Sequence, residues 1–437
     1  MQLLCDLHTH SRFSRATSQK LTVGNIAAVC QTKGVDVIGT GDATHPIWLR
    51  ELRQNLQEKE PGLYVFPKNP DVRFLLSGEI SLMYKHNDRS RRNHLLILLP
   101  NFEVATKVQE KFHKIGNITS DGRPILGLTS RDLTEMLLEI DSEILVIPAH
   151  VWTPWFSTFG SKSGYDSLKE CFEDMTPHIR AVESGLSADP AMCWRVSELD
   201  EINIISNGDA HSPGKIMREA TMLEVAEPSF SNIRSALICP IGQIGPNHIE
   251  STIEFFPEEG KYHWSGHAKC QIVQSAKQTK KLGTNCPVCG RSMILGVEWR
   301  SEELSARSVE ELKIINKDGW THSQLFPSRP PYHPLIPLDE IIAETVGVKS
   351  VTSAKVLDQY YQMTQTWPEI KILLDMPIAD IEKKFDDRLA EAIRRVRNAE
   401  LTIEPGYDGI FGKINIWRNT ENPQKIIDPT QSSLFSS

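Results

Sequence analysis

The sequence predicts an α/β protein whose strand-and-helix region fills residues 1–245. A small cysteine-bearing module follows over 246–326, then a helical region over 327–420 and a polar tail over 421–437. Three observations predict this. Short branched apolar runs alternate with amphipathic segments through the first 245 residues, a pattern that argues for a parallel sheet or barrel. Three of the eight cysteines then cluster where helical periodicity fades. Beyond a proline-rich stretch, helical spacing returns.

Taken in order, Val35 to Thr40, His94 to Leu99, Ile144 to Ile147 and Ile202 to Ser206 read as strands, each bounded by Pro, Gly or polar turn residues. Asn25 to Lys33, Arg131 to Glu139 and Ser167 to Met175 read as helices, the first because Val23, Ile26, Ala27 and Cys30 recur at helical spacing. Pro327, Pro330, Pro331, Pro334 and Pro337 suggest a linker of polyproline character. Leu338 to Val346, Ser353 to Thr364, Ile378 to Phe385 and Arg388 to Asn398 read as further helices.

The totals exclude several classes. No apolar run approaches the roughly 18 residues of a membrane span, and Met1 to Asp6 lacks the basic start of a secretory signal. No membrane partner is expected. Cys5, Cys30, Cys171, Cys193 and Cys239 are scattered, which fits a reducing cytoplasm better than a disulfide framework. The net charge of −8 gives no support for nucleic-acid binding. Its distribution does: Lys261 to Arg291 holds six basic residues and no acid, and Lys85 to Arg92 is also basic.

Histidines and carboxylates collect at strand ends. His8 and His10 follow Leu3-Leu4, and alternate strand residues point the same way, so both imidazoles can share a metal. Asp42 and His45 follow a buried strand, Glu79 follows Phe74-Leu75-Leu76, and His94, His150, Asp209 and His211 end or follow others. A lone histidine in such a place is more often a satisfied core or loop residue. Recurrence at several strand ends, where α/β folds place active sites, points instead to a shared centre. Six imidazoles with three carboxylates exceed one tetrahedral site and suit two or three divalent ions. Glu79 is a candidate bridge between two of them. Such centres hydrolyse phosphate esters, because the ions acidify water and neutralise charge on phosphorus and the leaving oxygen.

The motifs His8-Thr9-His10, Gly41-Asp42 with His45, Gly78-Glu79, His94, His150 and Asp209-Ala210-His211 resemble the polymerase-and-histidinol-phosphatase (PHP) superfamily over residues 1–245. The resemblance implies a distorted (β/α)7 barrel with a zinc, manganese, magnesium or iron centre. It makes His8, His10, Glu79, Asp209 and His211 the catalytic set. It implies that His8, His10, Glu79 and Asp209 hold one ion, Glu79, His94 and His150 a second, and Asp42 or His45 with His211 a third. A further histidine shortly after His10, usual in that superfamily, is absent here. Glu183 follows a strand as a ligand or as a carboxylate that orients one.

His267 and Cys270, with Cys286-Pro287-Val288-Cys289-Gly290, form a Cys3His set of zinc-ribbon spacing, a closed structural site. His263 is a rival for the histidine position. A cation-rich ribbon joined to a phosphoesterase favours an anionic polymer as substrate. The PHP barrel, ribbon and helical region together look like endonuclease Q. So do Gly78 to Lys85, Pro148 to Phe156, Gly160 to Gly164, Ser187 to Pro190 and Pro405 to Gly409. That resemblance implies a lesion-specific DNA endonuclease, nicking duplex DNA on the 5′ side of deaminated bases (uracil, hypoxanthine, xanthine) or abasic sites. A small-molecule phosphatase of the histidinol-phosphatase type is the alternative, although a small ester needs neither ribbon nor helical region. A non-catalytic DNA-binding module is a third.

Lys85, Lys162 and Arg91 or Arg92 are candidates to hold phosphates. Trp152, Trp155 and Phe156 stand ready to stack on a flipped base, or else pack as ordinary core. Gln431-Ser432-Ser433-Leu434-Phe435 resembles the peptide by which bacterial proteins dock on the sliding clamp, Gln431, Leu434 and Phe435 being its anchors. Together these features imply a cytoplasmic, nucleoid-associated protein.

Overall fold

The computed structural model describes residues 1–243 and 245–418. Gln2–Asp6 forms the first barrel strand, pairing in parallel with Val37–Gly39, which pairs in parallel with Asn69–Leu75. The helix between the first two, Val23–Lys33, starts where the Thr22 hydroxyl caps Asn25 N and ends on Gly34 at φ 87°. It buries Val23, Ile26, Ala27 and Cys30, as their spacing predicts.

From there the wall is mixed rather than wholly parallel. Ser77–His86 and Arg89–Leu98 make a long antiparallel hairpin, with Glu79 opposite Leu96 and Ser81 opposite His94. Leu145–Pro148 runs antiparallel to the second arm, and Ala181–Glu183 pairs in parallel with Asn203–Ile205. Ala220–Glu224 closes back on the first strand antiparallel, and His10 N donates to Ala210 O at the strand ends. Two-residue alternation divides the apolar residues. Leu3, Cys5, Leu7, Val37, Leu75, Leu96, Ile147, Ala181, Ile205 and Leu223 form one cluster, while Leu4, Ile38, Phe74, Leu95 and Val182 pack in another with the helices.

The sheet continues past the expected boundary at 245/246. His248–Glu254 pairs antiparallel with Ala220–Glu224, and Tyr332–Pro334 pairs in parallel with His248–Glu254. Part of the proline run, Tyr332–Pro334, is therefore a sheet strand rather than a free linker. Tyr332, Leu335, Ile336 and Leu338 are buried there. The prolines fit because Pro334 is the strand's last residue and the others lie outside it.

The ribbon lies inside this excursion, built on the hairpin Ser265–His267 with Ile272–Gln274 and the helices Ala276–Leu282 and Val297–Leu304. Arg300 ties it to the barrel, donating to Phe159 O at 2.9 Å and Tyr165 O at 3.0 Å. The C-terminal helices are Leu338–Thr345, Ala354–Thr364, Glu369–Leu374, Ile378–Lys384 and Asp387–Arg397. Sequence reasoning missed Glu369–Leu374, a short helix behind Pro368. Its buried Glu369 pairs with Lys33 at 3.1 Å and accepts from Tyr360 Oη at 2.6 Å, fastening these helices to the barrel. No helix among the described residues is long and apolar enough to cross a membrane.

Candidate active site

Strand ends, with Glu79 and His94 inside the arms of the long hairpin, bring the predicted donors together. His8, His10 and Asp209 form one triad and Glu79, His94 and His150 another, each with its donor atoms within 4.8 Å of one another. Glu79 links them. Its carboxylate lies 2.6 Å from His94 Nδ1, 3.0 Å from His150 Nε2 and 3.4 Å from His10 Nε2. Asp209 Oδ1 is 3.1 Å from His10 Nε2. His8 Nε2 is buried without a hydrogen-bond partner, 3.7 Å from both Glu79 and Asp209. An orphaned imidazole nitrogen beside two carboxylates fits a divalent cation.

The ring orientations have identifiable causes. Glu183 is fully buried behind His8 and sits 3.0 Å from its Nδ1, so Nε2 faces the centre. It also accepts from His150 N at 2.8 Å and Asn207 Nδ2 at 2.9 Å. Asp42 does the same for His10, 3.3 Å from Nδ1, while accepting from Ser11 N, Ser11 Oγ and Ser14 Oγ. Both carboxylates therefore orient these imidazoles from behind. Asp6 accepts from Gly208 N and Met217 N, holding the loop that carries Asp209, and burial pushes its carboxyl up to about 7. Asp42, His150 and Asp209 all have left-handed backbone, at φ 49°, 31° and 43°, strain concentrated around the two triads.

The electrostatics follow. Burial alone would raise the Glu79 carboxyl, yet His94, Arg123, His150 and His8 hold it well below the ordinary range. Burial works against protonated His10, but Asp209 and Asp42 lift it to about 9. Burial takes His94 down to about 4 in spite of Glu79.

Beside the triads opens a cavity of about 580 Å³, lined by His150 and Asp209, the rings of Trp155, Phe255, Tyr262 and Phe411, and the polar Lys215, Arg218, Glu259 and Glu340. A second cluster, His267, Cys270, Cys286 and Cys289, lies in the ribbon, with Cys289 Sγ 3.5 Å from His267 Nδ1. His263 is elsewhere, buried against Ser187 O.

This architecture has solved counterparts. The lesion-specific endonuclease Q of Pyrococcus furiosus superposes with a TM-score of 0.81 at 31% identity, over 99% of this chain and 98% of that one. Endonuclease Q bound to a 27-mer duplex with an abasic lesion at its active site gives 0.80 at 33% identity, over 96% and 98%. The chain belongs to the endonuclease Q family. It is also 32% identical over 300 residues to the uncharacterised protein MJ0043 of Methanocaldococcus jannaschii, and it spans only 34% of that protein's length. It is 27% identical to the uncharacterised protein YqxK of Bacillus subtilis, over 94% of this chain and 99% of that one. Residues 337–400 match the family model described as the MJ0043 C-terminal domain.

Within this endonuclease Q framework, some expected site residues lie elsewhere. His45 caps the helix Pro46–Asn55 through Nδ1, its Nε2 faces Thr119 O, and its ring stacks on Phe13. It is not among the triad donors. Asp42 is taken up by hydroxyls and His10, and among the described residues neither it nor His45 joins His211 in a donor triad. His211 flanks the centre, its Nδ1 2.9 Å from Asp209 O and its ring 4.6 Å from that of His10.

Arg91 is buried, pairing with Glu170 at 3.1 Å and lying over Tyr165 at 4.0 Å, so its guanidinium is engaged within the fold. Trp152 is core, donating from Nε1 to Cys193 Sγ. Trp155 lines the cavity; Phe156 packs on His94 at 4.7 Å with Arg92 over it at 5.4 Å. Lys85 is exposed on the hairpin, and Lys162 is exposed beside a second cavity that also includes Arg89. Gln431, Leu434 and Phe435 lie outside the described residues.

Sequence reasoning missed Arg123, whose Nη1 lies 2.9 Å from Glu79 Oε2. Nothing in Asp121-Gly122-Arg123-Pro124 distinguishes it from a solvated loop arginine. Gly122, beside it, leaves no room for a side chain: a Cβ there would lie 2.2 Å from Asp42 Oδ2. That closes the space on Asp42 and seats Arg123 over the linking carboxylate.

Proposed function

We propose that this chain is a metal-dependent endonuclease that takes a deaminated base (uracil, hypoxanthine or xanthine) or an abasic site out of duplex DNA and hydrolyses the phosphodiester on its 5′ side. The observation that carries the reading is the pair of donor triads joined by Glu79 at the edge of an aromatic-walled cavity. A base needs stacking faces and a few polar contacts, and its phosphate needs concentrated positive charge. This site offers both within one opening.

In this reading His8, His10 and Asp209 hold one divalent ion and Glu79, His94 and His150 a second; zinc, manganese, magnesium and iron all suit such donors. When bound, the ions supply an acidified water and neutralise charge on the phosphate. The chain does the rest. Glu183 and Asp42 fix the tautomers of His8 and His10. Arg123 adds a permanent positive charge beside Glu79. His211, with Nδ1 directed at Asp209 O, keeps Nε2 available to exchange a proton with the departing 3′ oxygen. The cavity, rimmed by Lys215, Arg218 and Lys261, takes the extruded nucleotide, and we assign the flanking phosphates to Lys85, Arg92 and Lys162, the first and last of them exposed. The ribbon cluster holds one structural zinc. The tail beyond residue 418 carries Gln431, Leu434 and Phe435 to the sliding clamp, in a cytoplasmic, nucleoid-associated setting.

The test is a duplex carrying one uracil, hypoxanthine or abasic site, incubated with manganese or magnesium. A nick immediately 5′ of the lesion is expected. Hydrolysis of a small phosphate ester with no nicking would overturn the reading.

A further inference from the structure

A base can leave the stack only if something compensates for the gap. The structure offers a candidate at the lip of the cavity. Phe411 is 68% exposed and its neighbour Ile410 44%, two large apolar side chains side by side on one turn. Scattered surface hydrophobes are ordinary and need no explanation. Three features set this pair apart.

The first is rigidity. Tyr407 and Ile410 exchange backbone hydrogen bonds at 2.9 and 2.8 Å, closing a two-residue turn with Asp408 at φ 43° and Gly409 at φ 87°. The strand pair Thr402–Glu404 and Lys413–Asn415 lies at its base. The second is anchorage. Gly409 N donates to Lys261 O at 2.9 Å, Gly412 N to Glu259 O at 3.1 Å and Ala268 N to Asp408 Oδ2 at 2.6 Å. Added Cβ atoms at Gly406 and Gly412 would lie 2.5 Å from Gly260 O and 2.1 Å from Glu258 O, so the backbones meet directly. An exposed aromatic on a fastened turn loses little freedom on insertion. The third is position. Phe411 lines the same cavity as His150 and Asp209, and Lys261 Nζ lies 5.7 Å from its ring, within reach of a phosphate beside an inserted side chain.

We propose that Phe411, backed by Ile410, is the wedge that enters the base stack as the lesion nucleotide leaves it, with Lys261 holding the adjoining backbone. This rests on the endonuclease reading above. Apolar wedges on rigid turns serve this purpose where proteins unstack duplex DNA.

The experiment compares wild type, Phe411→Ala and Phe411→Leu on uracil in a fully paired duplex and on the same uracil in a pre-opened bubble. It uses single-turnover nicking, with 2-aminopurine fluorescence beside the lesion reporting unstacking. Phe411→Ala should slow paired-duplex cleavage by about 10- to 100-fold, the scale of one lost base–aromatic contact. The bubble rate should fall several-fold less, Phe411→Leu should recover part of the loss, and the fluorescence rise should shrink with the duplex rate. Equal losses on both substrates, or no loss on either, would overturn the wedge. A wild-type protein that nicks neither substrate would instead overturn the endonuclease reading, whatever the variants do.

Discussion

Glu183→Gln separates ligand orientation from ligand identity, because Glu183 touches no other member of the triads except His8 and the His150 backbone. Its carboxylate lies 3.0 Å from His8 Nδ1 through each oxygen, accepts from His150 N at 2.8 Å and from Asn207 Nδ2 at 2.9 Å, and is fully buried. Glutamine preserves the shape and removes the charge. One of its two ends becomes a donor, so an N–H must face His8 Nδ1–H or the donors of His150 and Asn207. The substitution therefore weakens a charge-assisted bond worth about 1.5–3 kcal/mol and frees the His8 ring to turn. Loss of such an orienting partner typically costs about 10- to 100-fold in metal affinity, or roughly 1.4–2.7 kcal/mol. Equilibrium dialysis with elemental analysis should show that fall at one barrel ion, with the ribbon ion retained. Nicking should recover partly as manganese is raised. Undiminished affinity for both barrel ions in a folded Glu183→Gln protein would refute the argument that this carboxylate aims His8.

Other perturbations test the remaining parts. Arg123→Gln should lower the single-turnover rate by about 10²-fold, the scale of one removed charge-stabilising donor, while metal content holds or rises. A fall in metal content with no fall in rate at saturating metal would contradict the role given to its guanidinium. Glu369→Ala leaves Lys33 buried without its partner and should cost about 3–5 kcal/mol in denaturant unfolding; a cost under about 1 kcal/mol would mean that this pair does not tie the helices to the barrel. Burial raises Glu254 from 4.5 to about 8, so the folded protein holds a proton there that the unfolded chain gives up. Its stabilisation is complete below pH 4.5 and is lost as pH rises through about 8. Glu254→Gln should flatten the fall in Tm between pH 6 and 9, and an unchanged slope would show another group to be responsible. Cys286→Ser should release the ribbon ion, measured by elemental analysis, and expose the Ala276–Leu282 segment to proteolysis while both barrel ions remain; loss of the barrel ions as well would show the centres to be coupled.

The metal donors were legible in the sequence because strand periodicity places them. His8-x-His10 fixes two rings on one face, and Glu79, His94, His150 and Asp209 each lie on a strand or just past its end, where an α/β fold has its opening. What periodicity does not carry was not legible. Arg123 and Phe411 reach the site from loops, and a loop residue's destination depends on packing that no local spacing encodes. Burial misled in the other direction. Arg91 and Trp152 have the composition of DNA contacts, but Glu170, Tyr165 and Cys193 lie behind them and draw them inward. The proline run misled because the strand within it is short: Tyr332 pairs with both Thr252 and Thr321, and the prolines stand at its last position or outside it.

That pairing of Thr252 with Tyr332 and Glu254 with Pro334 has a practical consequence. The chain departs after Glu254 and re-enters beside its point of departure, so the segment between is an insertion bounded by two neighbouring strands. Phe255, Glu259, Lys261 and Tyr262, which form one wall of the cavity beside the triads, belong to the insertion, whereas every donor of the two barrel triads lies outside it. In the proposed reading, the wall that meets the extruded nucleotide can therefore vary in sequence while the donors of both triads stay as they are.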